Sequence, residues 1–72
     1  MIMKKNENGR IELGEKIRKA REKAGMTQVD VASQAEINVS YYAQIERGEV
    51  NVSFDKLQSI IKVLKIKSLD IV

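Results

Sequence analysis

Residues 26–48 read MTQVDVASQAEINVSYYAQIERG, and the fold is decided there. Thr27 is a good helix N-cap, and Asp30 three residues later is an acidic variant of the capping box, its charge well placed in a first helical turn. The spacing predicts a helix over residues 28–35 whose inward set is Val31, Ala32 and Ala35, the two alanines permitting close approach of another helix. Glu36, Ile37 and Asn38 interrupt that pattern, and Val39 to Arg47 then reads as a further helix ending at Gly48. Two short helices so close together form a helix-turn-helix candidate.

Working outward, Leu13, Ile17, Ala20 and Ala24 recur at spacings of four, three and four, while Lys16, Arg18, Lys19 and Lys23 fall mostly elsewhere. This predicts an amphipathic helix from Ile11 to about Ala24 with a solvated basic face, stopped by Gly25. Residues 1–10 (MIMKKNENGR) lack apolar periodicity and are expected to form a flexible N-terminal arm; no apolar run follows the two lysines as a signal peptide requires. On the other side Ser53 caps a helix whose Phe54, Leu57, Ile60, Ile61 and Leu64 make a wide apolar stripe, the strongest core signal in the chain. A last short turn, Ser68 to Val72, carries Leu69, Ile71 and Val72. Residues 11–72 are thus expected to fold as one all-α domain.

The chain has 72 residues, no proline, four glycines and three aromatics, a composition that suits a helical bundle better than a sheet built on turns. It has no cysteine and no histidine, which removes disulfides, thiol chemistry, the usual transition-metal ligands and imidazole acid–base catalysis. No metal, cofactor or small-molecule ligand is expected. Asp30, Glu46 and Glu49, the carboxylates near the motif, have no partner that would make an acid–base pair, so the chain does not read as an enzyme. Apolar residues never approach the roughly 18 in succession that span a bilayer, so a cytoplasmic protein without a membrane partner is expected. A formal net charge of +3 favours a polyanionic partner without demanding one.

The run Thr27-Gln28, Ala32, the apolar turn residue Ile37 and the QIERG of residues 44–48 together resemble the helix-turn-helix of the Cro/phage-repressor (XRE) family of bacterial and phage regulators. Residues 13–24 are similar to that family's first helix, 51–64 to its fourth and 66–72 to the start of its fifth. The resemblance implies a compact five-helix, lambda-repressor-like bundle in which helices two and three form the motif. It implies a sequence-specific binder of double-stranded DNA whose third helix, residues 39–47, lies in the major groove. By that similarity Val39, Ser40, Ala43 and Gln44 face the bases. Glutamine can bond an adenine edge at two points, serine can pair with several bases, and valine or alanine can pack on a thymine methyl, for an A/T-leaning preference. Gln28, which in the family also steadies the third helix, Arg47, Asn51, Ser53 and, more weakly, Lys56 match positions that contact the DNA backbone, as does Tyr41, for which an ordinary surface aromatic is the alternative.

Arg21 and Glu46 occupy positions where family members bridge helices one and three with a partly buried ion pair, so both are assigned to folding. Tyr42 stands where the family packs a smaller aliphatic and is read as core. Glu36 departs from the glycine usual in the turn, where the backbone is left-handed. Ile66, Leu69, Ile71 and Val72 either close the bundle or form the interface of a homodimer that reads an inverted-repeat operator. The small size resembles restriction-modification controller proteins and short phage or plasmid repressors, which tend to regulate their own promoters. The alternative keeps the fold but binds a protein, as an interaction module or antitoxin with weak DNA binding.

Overall fold

Each helix boundary follows from a local hydrogen-bond solution written in the sequence. The computed structural model describes residues 5–66, which form four α-helices: α1 (Lys5–Lys23), α2 (Gln28–Ala35), α3 (Val39–Arg47) and α4 (Phe54–Leu64). At the start of α2 the Asp30 N–H donates to Thr27 Oγ1 at 3.0 Å, and the Thr27 N–H donates to Asp30 Oδ2 at 2.9 Å. Asn38 caps α3, its Oδ1 accepting from the N–H groups of Ser40 and Tyr41 at 2.8 and 3.2 Å. Ser53 Oγ does the same for α4, accepting from the Lys56 N–H at 3.3 Å. These bonds satisfy donors that a helix start leaves without partners.

The ends share one device. A residue in the left-handed region follows each helix, and the next N–H reaches back to a carbonyl five residues earlier: Met26 to Arg21, Ile37 to Ala32, Glu49 to Gln44 and Ile66 to Ile61. Glycine fills the left-handed position after α3 (Gly48, φ 75°), but Glu36 and Lys65 hold φ of 59° and 57° after α2 and α4. Side chains with a Cβ are strained there. Replacing Glu36 with glycine is therefore expected to raise stability by about 0.5–1 kcal/mol, and the thermal midpoint by several degrees. A midpoint that falls in calorimetry would show that the Glu36 side chain makes a compensating contact.

α1 lies against α3, and α2 lies against both α3 and α4. The core between them comprises Ile17, Val31, Ala32, Ala35, Ile37, Tyr42, Ile45, Ile60 and Leu64, with Leu13, Ala20, Leu57 and Val63 packed around it. Gly14 explains how α1 comes so close to α3. A Cβ at this position would sit 2.5 Å from the Ile45 carbonyl oxygen and 2.8 Å from the Glu46 carbonyl carbon, and would meet the Glu46 carbonyl oxygen as well. These are backbone atoms, which cannot swing aside. Gly14→Ala is thus expected to destabilise the fold by about 1–3 kcal/mol, although alanine alone favours a helix by about 1 kcal/mol. Chemical denaturation measures the difference, and a more stable variant would mean the two helices separate freely.

Three expectations are corrected. Residues 5–10, read as part of a flexible arm, are the opening turns of α1. Their neighbourhood supplies the reason, because Arg10 Nε donates to the Gly48 carbonyl at 3.4 Å and Ile11 packs against Gly48 at the end of α3. Phe54, read as part of the α4 core stripe, is 72% exposed. Periodicity gives a direction around the helix axis, but among the described residues no element covers the Phe54 side chain. Ala24, assigned to the inward face of α1, is exposed. The expected fifth helix and its Leu69, Ile71 and Val72 lie outside the described residues.

Candidate nucleic-acid interface

α3 has two unlike faces. Tyr42, Ile45 and Glu46 are buried, while Val39 and Ser40 are exposed and Ala43 and Gln44 half-buried on the opposite side. At 3.6 residues per turn, positions 39, 40, 43, 44 and 47 fall along one outward strip. That strip is short, polar at Ser40 and Gln44, and ends in the exposed cation Arg47.

The inner face of α3 is anchored by a buried charge. Glu46 is only 6% exposed. Its Oε2 accepts from Arg21 Nε at 2.6 Å, and its Oε1 accepts from Arg21 Nη2 at 3.2 Å and from Gln28 Nε2 at 3.0 Å. Arg21 Nη1 also donates to the Met26 carbonyl at 3.0 Å. One carboxylate thus ties α1, α2 and α3 together through charge-assisted bonds, and the fork of Arg21 fixes their relative orientation. Burial on its own pushes the Glu46 carboxyl up. The bonds from Arg21 and Gln28, with the charge of Arg21, outweigh it and hold the group below the usual carboxylate range. The Tyr42 hydroxyl is buried beside this cluster with no hydrogen-bond partner among the described residues, and burial pushes its acidity far down.

The outer elements are arranged around the same strip. Gln28 opens α2, but its amide is spent inward on Glu46, so α2 and α3 are linked directly. Arg47 forms a two-point pair with Glu49, Nε to Oε2 at 2.9 Å and Nη2 to Oε1 at 3.1 Å, both side chains exposed. The half-buried Tyr41 donates from its hydroxyl to the Asn51 carbonyl at 3.5 Å, drawing the α3–α4 loop toward α3. Asn51, Ser53 and Lys56 are exposed around the N-terminus of α4. Ile66, the described member of the expected interface set, is half-buried against the core.

Sequence reasoning missed Asn38 as the α3 cap, Gly14 as the contact point of α1, and Glu46 as the partner through which Gln28 steadies α3. The first two had signals, a capping residue type just before a helical run and a glycine in mid-helix. The third joins residues 18 apart in sequence and has no local signature. Val29 was also overlooked; it is 62% exposed in the first turn of α2, next to Gln28. Among the described residues no helix is long and apolar enough to cross a membrane, and no group of acidic residues is placed to hold a metal ion.

A comparison with protein families matches residues 17–72 to the Helix-turn-helix family. The chain belongs to that family. The match takes in α2, α3 and α4 whole, with the part of α1 that carries Ile17 and Arg21. This helix-turn-helix chain is 35% identical to the control protein C.BamHI of Bacillus amyloliquefaciens over 65 residues, covering 89% of its own length and 80% of the relative's. It is 38% identical over 50 residues to the HTH-type transcriptional regulator DdrOP3 of Deinococcus deserti, of which it spans only 39%. Among solved structures it resembles the restriction-modification controller protein C.AhdI of Aeromonas hydrophila. The TM-score is 0.82 at 26% identity, covering 86% of this chain and 94% of that one. The resemblance to restriction-modification controllers drawn from the small size is thus met by both curated and structural relatives.

Proposed function

We propose that this chain is a sequence-specific DNA-binding transcriptional regulator of the controller type, without enzymatic activity, which inserts α3 into the major groove. The observation that carries the reading is the division of α3. Its inner face is locked by the Arg21–Glu46–Gln28 network, and its outer strip of Val39, Ser40, Ala43 and Gln44 is left to contact base edges. Tyr41, Arg47, Asn51, Ser53 and Lys56 surround that strip and position the duplex through its phosphates, while Gln28, its amide held by Glu46, positions α3 itself. A single short helix reads few base pairs, so the working unit is a homodimer on an inverted repeat with half-sites about one helical turn apart. Ile66, Leu69, Ile71 and Val72 are the residues put forward for its interface. The relatives named as control and controller proteins support an autoregulatory role.

The test is a titration of labelled duplex DNA at several salt concentrations. Log affinity should fall linearly with log salt, with a slope set by the number of phosphates neutralised. Binding that is absent, or insensitive to salt, would favour the protein-interaction reading, for which Glu36 and Glu49 beside the motif are the supporting features.

Glu49 has a definite expected effect on that titration. Its carboxylate neutralises Arg47, and each holds the other in its charged form. A phosphate must compete with it. Glu49→Gln is expected to tighten binding about two- to fivefold on all sequences alike and to steepen the salt slope by up to about one unit. Unchanged affinity would place Arg47 away from the DNA backbone.

A further inference from the structure

We propose that Asn38 is a further specificity-determining residue, whose side-chain amide donates to the keto oxygen of a guanine or thymine in the major groove. The inference rests on the reading of α3 as the helix that enters that groove. Asn38 is exposed and immediately precedes Val39 and Ser40, the first two residues of the outward strip. Its Oδ1 accepts from the Ser40 and Tyr41 N–H groups at 2.8 and 3.2 Å, and its backbone carbonyl accepts from the Tyr42 N–H at 2.9 Å. These bonds fix the residue to the first turn of α3. Its Nδ2 has no hydrogen-bond partner among the described residues and faces solvent.

The cap decides what Asn38 can recognise. An amide oxygen offers two lone pairs, and the amide nitrogen carries two N–H donors. Both lone pairs of Oδ1 are spent on backbone N–H groups, so the outward end of the side chain is a donor only. An unconstrained asparagine bonds adenine at two points, donating to N7 and accepting from the N6 amino group. Asn38 lacks the acceptor for that pairing, and it lacks one for cytosine, whose N4 amino group donates. Guanine O6 and thymine O4 both accept, and guanine adds N7 as a second acceptor. At one base pair the side chain thus favours a keto base over an amino base on the strand it faces.

Placement favours a base edge over a phosphate as the acceptor. A recognition helix presents its N-terminal residues to base edges, and Asn38 stands at that end of α3. Glu36, exposed two residues earlier, adds a negative charge there that repels the DNA backbone. The N–H groups of Ser40 and Tyr41, which would otherwise draw an anion, already bond Oδ1. Because the cap holds the side chain before DNA arrives, little rotamer freedom is lost on contact.

The experiment selects binding sites from random-sequence duplex DNA with the full chain and with its Asn38→Ser, Asn38→Asp and Ser40→Ala variants. Serine and aspartate cap helices about as well as asparagine, so thermal midpoints should change little. The unaltered chain is expected to select guanine or thymine at one position of each half-site, next to the position that Ser40→Ala relaxes. Asn38→Ser should lose that preference and bind the selected site about three- to tenfold more weakly, with affinity for unrelated DNA unchanged. Asn38→Asp, whose outward oxygen accepts, should shift the preference at that position toward cytosine. The proposal is overturned if both Asn38 variants select the same bases as the unaltered chain, or if the position they alter carries adenine or cytosine in its site. It is also overturned if Asn38→Asp weakens binding to all sequences alike, which would place a phosphate at Nδ2. A midpoint lowered by several degrees in Asn38→Asp, which keeps both cap bonds, would overturn it too, since Nδ2 would then be engaged within the protein. Any of these results with Ser40→Ala still relaxing its own position leaves the reading of α3 standing, whereas an unaltered chain that selects no sequence removes both.

Discussion

Replacing Ser40 and Gln44 together with alanine is expected to reduce binding to the cognate DNA site by about 30-fold or more, leaving non-specific binding nearly intact. Each good side-chain contact with a base edge discriminates by about 1–3 kcal/mol, and both residues stand on the outward strip of α3. Neither side chain forms a hydrogen bond within the described residues, and alanine is a good helix former, so the fold should persist with unchanged helical circular dichroism. The two affinities, measured on the preferred site and on unrelated DNA of equal length, should converge. Equal loss on both would mean that the pair touches phosphates instead of bases.

The second large effect is on folding. Removing either partner of the Arg21–Glu46 pair leaves a charge with little access to water and costs about 3–5 kcal/mol, a large share of the stability of so small a domain. Replacing both with methionine should cost less than either single change, because no uncompensated charge then remains. Denaturation of Arg21→Met, Glu46→Met and the double variant measures this, and additive losses would show that the two groups do not depend on each other. Glu46 also sets an acid limit. Its pKa lies lower in the folded chain than in the unfolded one, so its contribution is complete above the unfolded value of about 4.3 and is lost as pH falls through the folded value. Stability should hold from about pH 7 to 5 and decline below about 4, less steeply in Glu46→Gln. Some decline should remain there, because Asp30 and Glu49 are also held below their usual range.

The elements legible in the sequence are those whose boundaries are chemical and local. Thr27 with Asp30, Gly48 and Ser53 mark the ends of α2, α3 and α4, and the ladder of Leu57, Ile60 and Leu64 marks a buried face. What failed depends on contacts between distant parts of the chain. Residues 5–10 carry no periodic signal, yet α1 extends through them to Arg10 and Ile11, which find the end of α3. Phe54 fits the α4 stripe by spacing and is exposed because no element among the described residues covers it. Both the outward set of α3 and the pairing of Arg21 with Glu46 came from the family resemblance. Spacing cannot join residues 25 apart, and the closing of Gln28 onto the same carboxylate was invisible for the same reason.

The most direct test of base reading by α3 is selection from a pool of random-sequence duplex DNA, with the Ser40→Ala/Gln44→Ala variant run in parallel. The bound fraction should enrich a short inverted repeat with half-site centres about 10 base pairs apart, and the variant should lose that enrichment. A folded protein that recovers DNA no different from the starting pool, or a variant that selects the same repeat, would contradict the account.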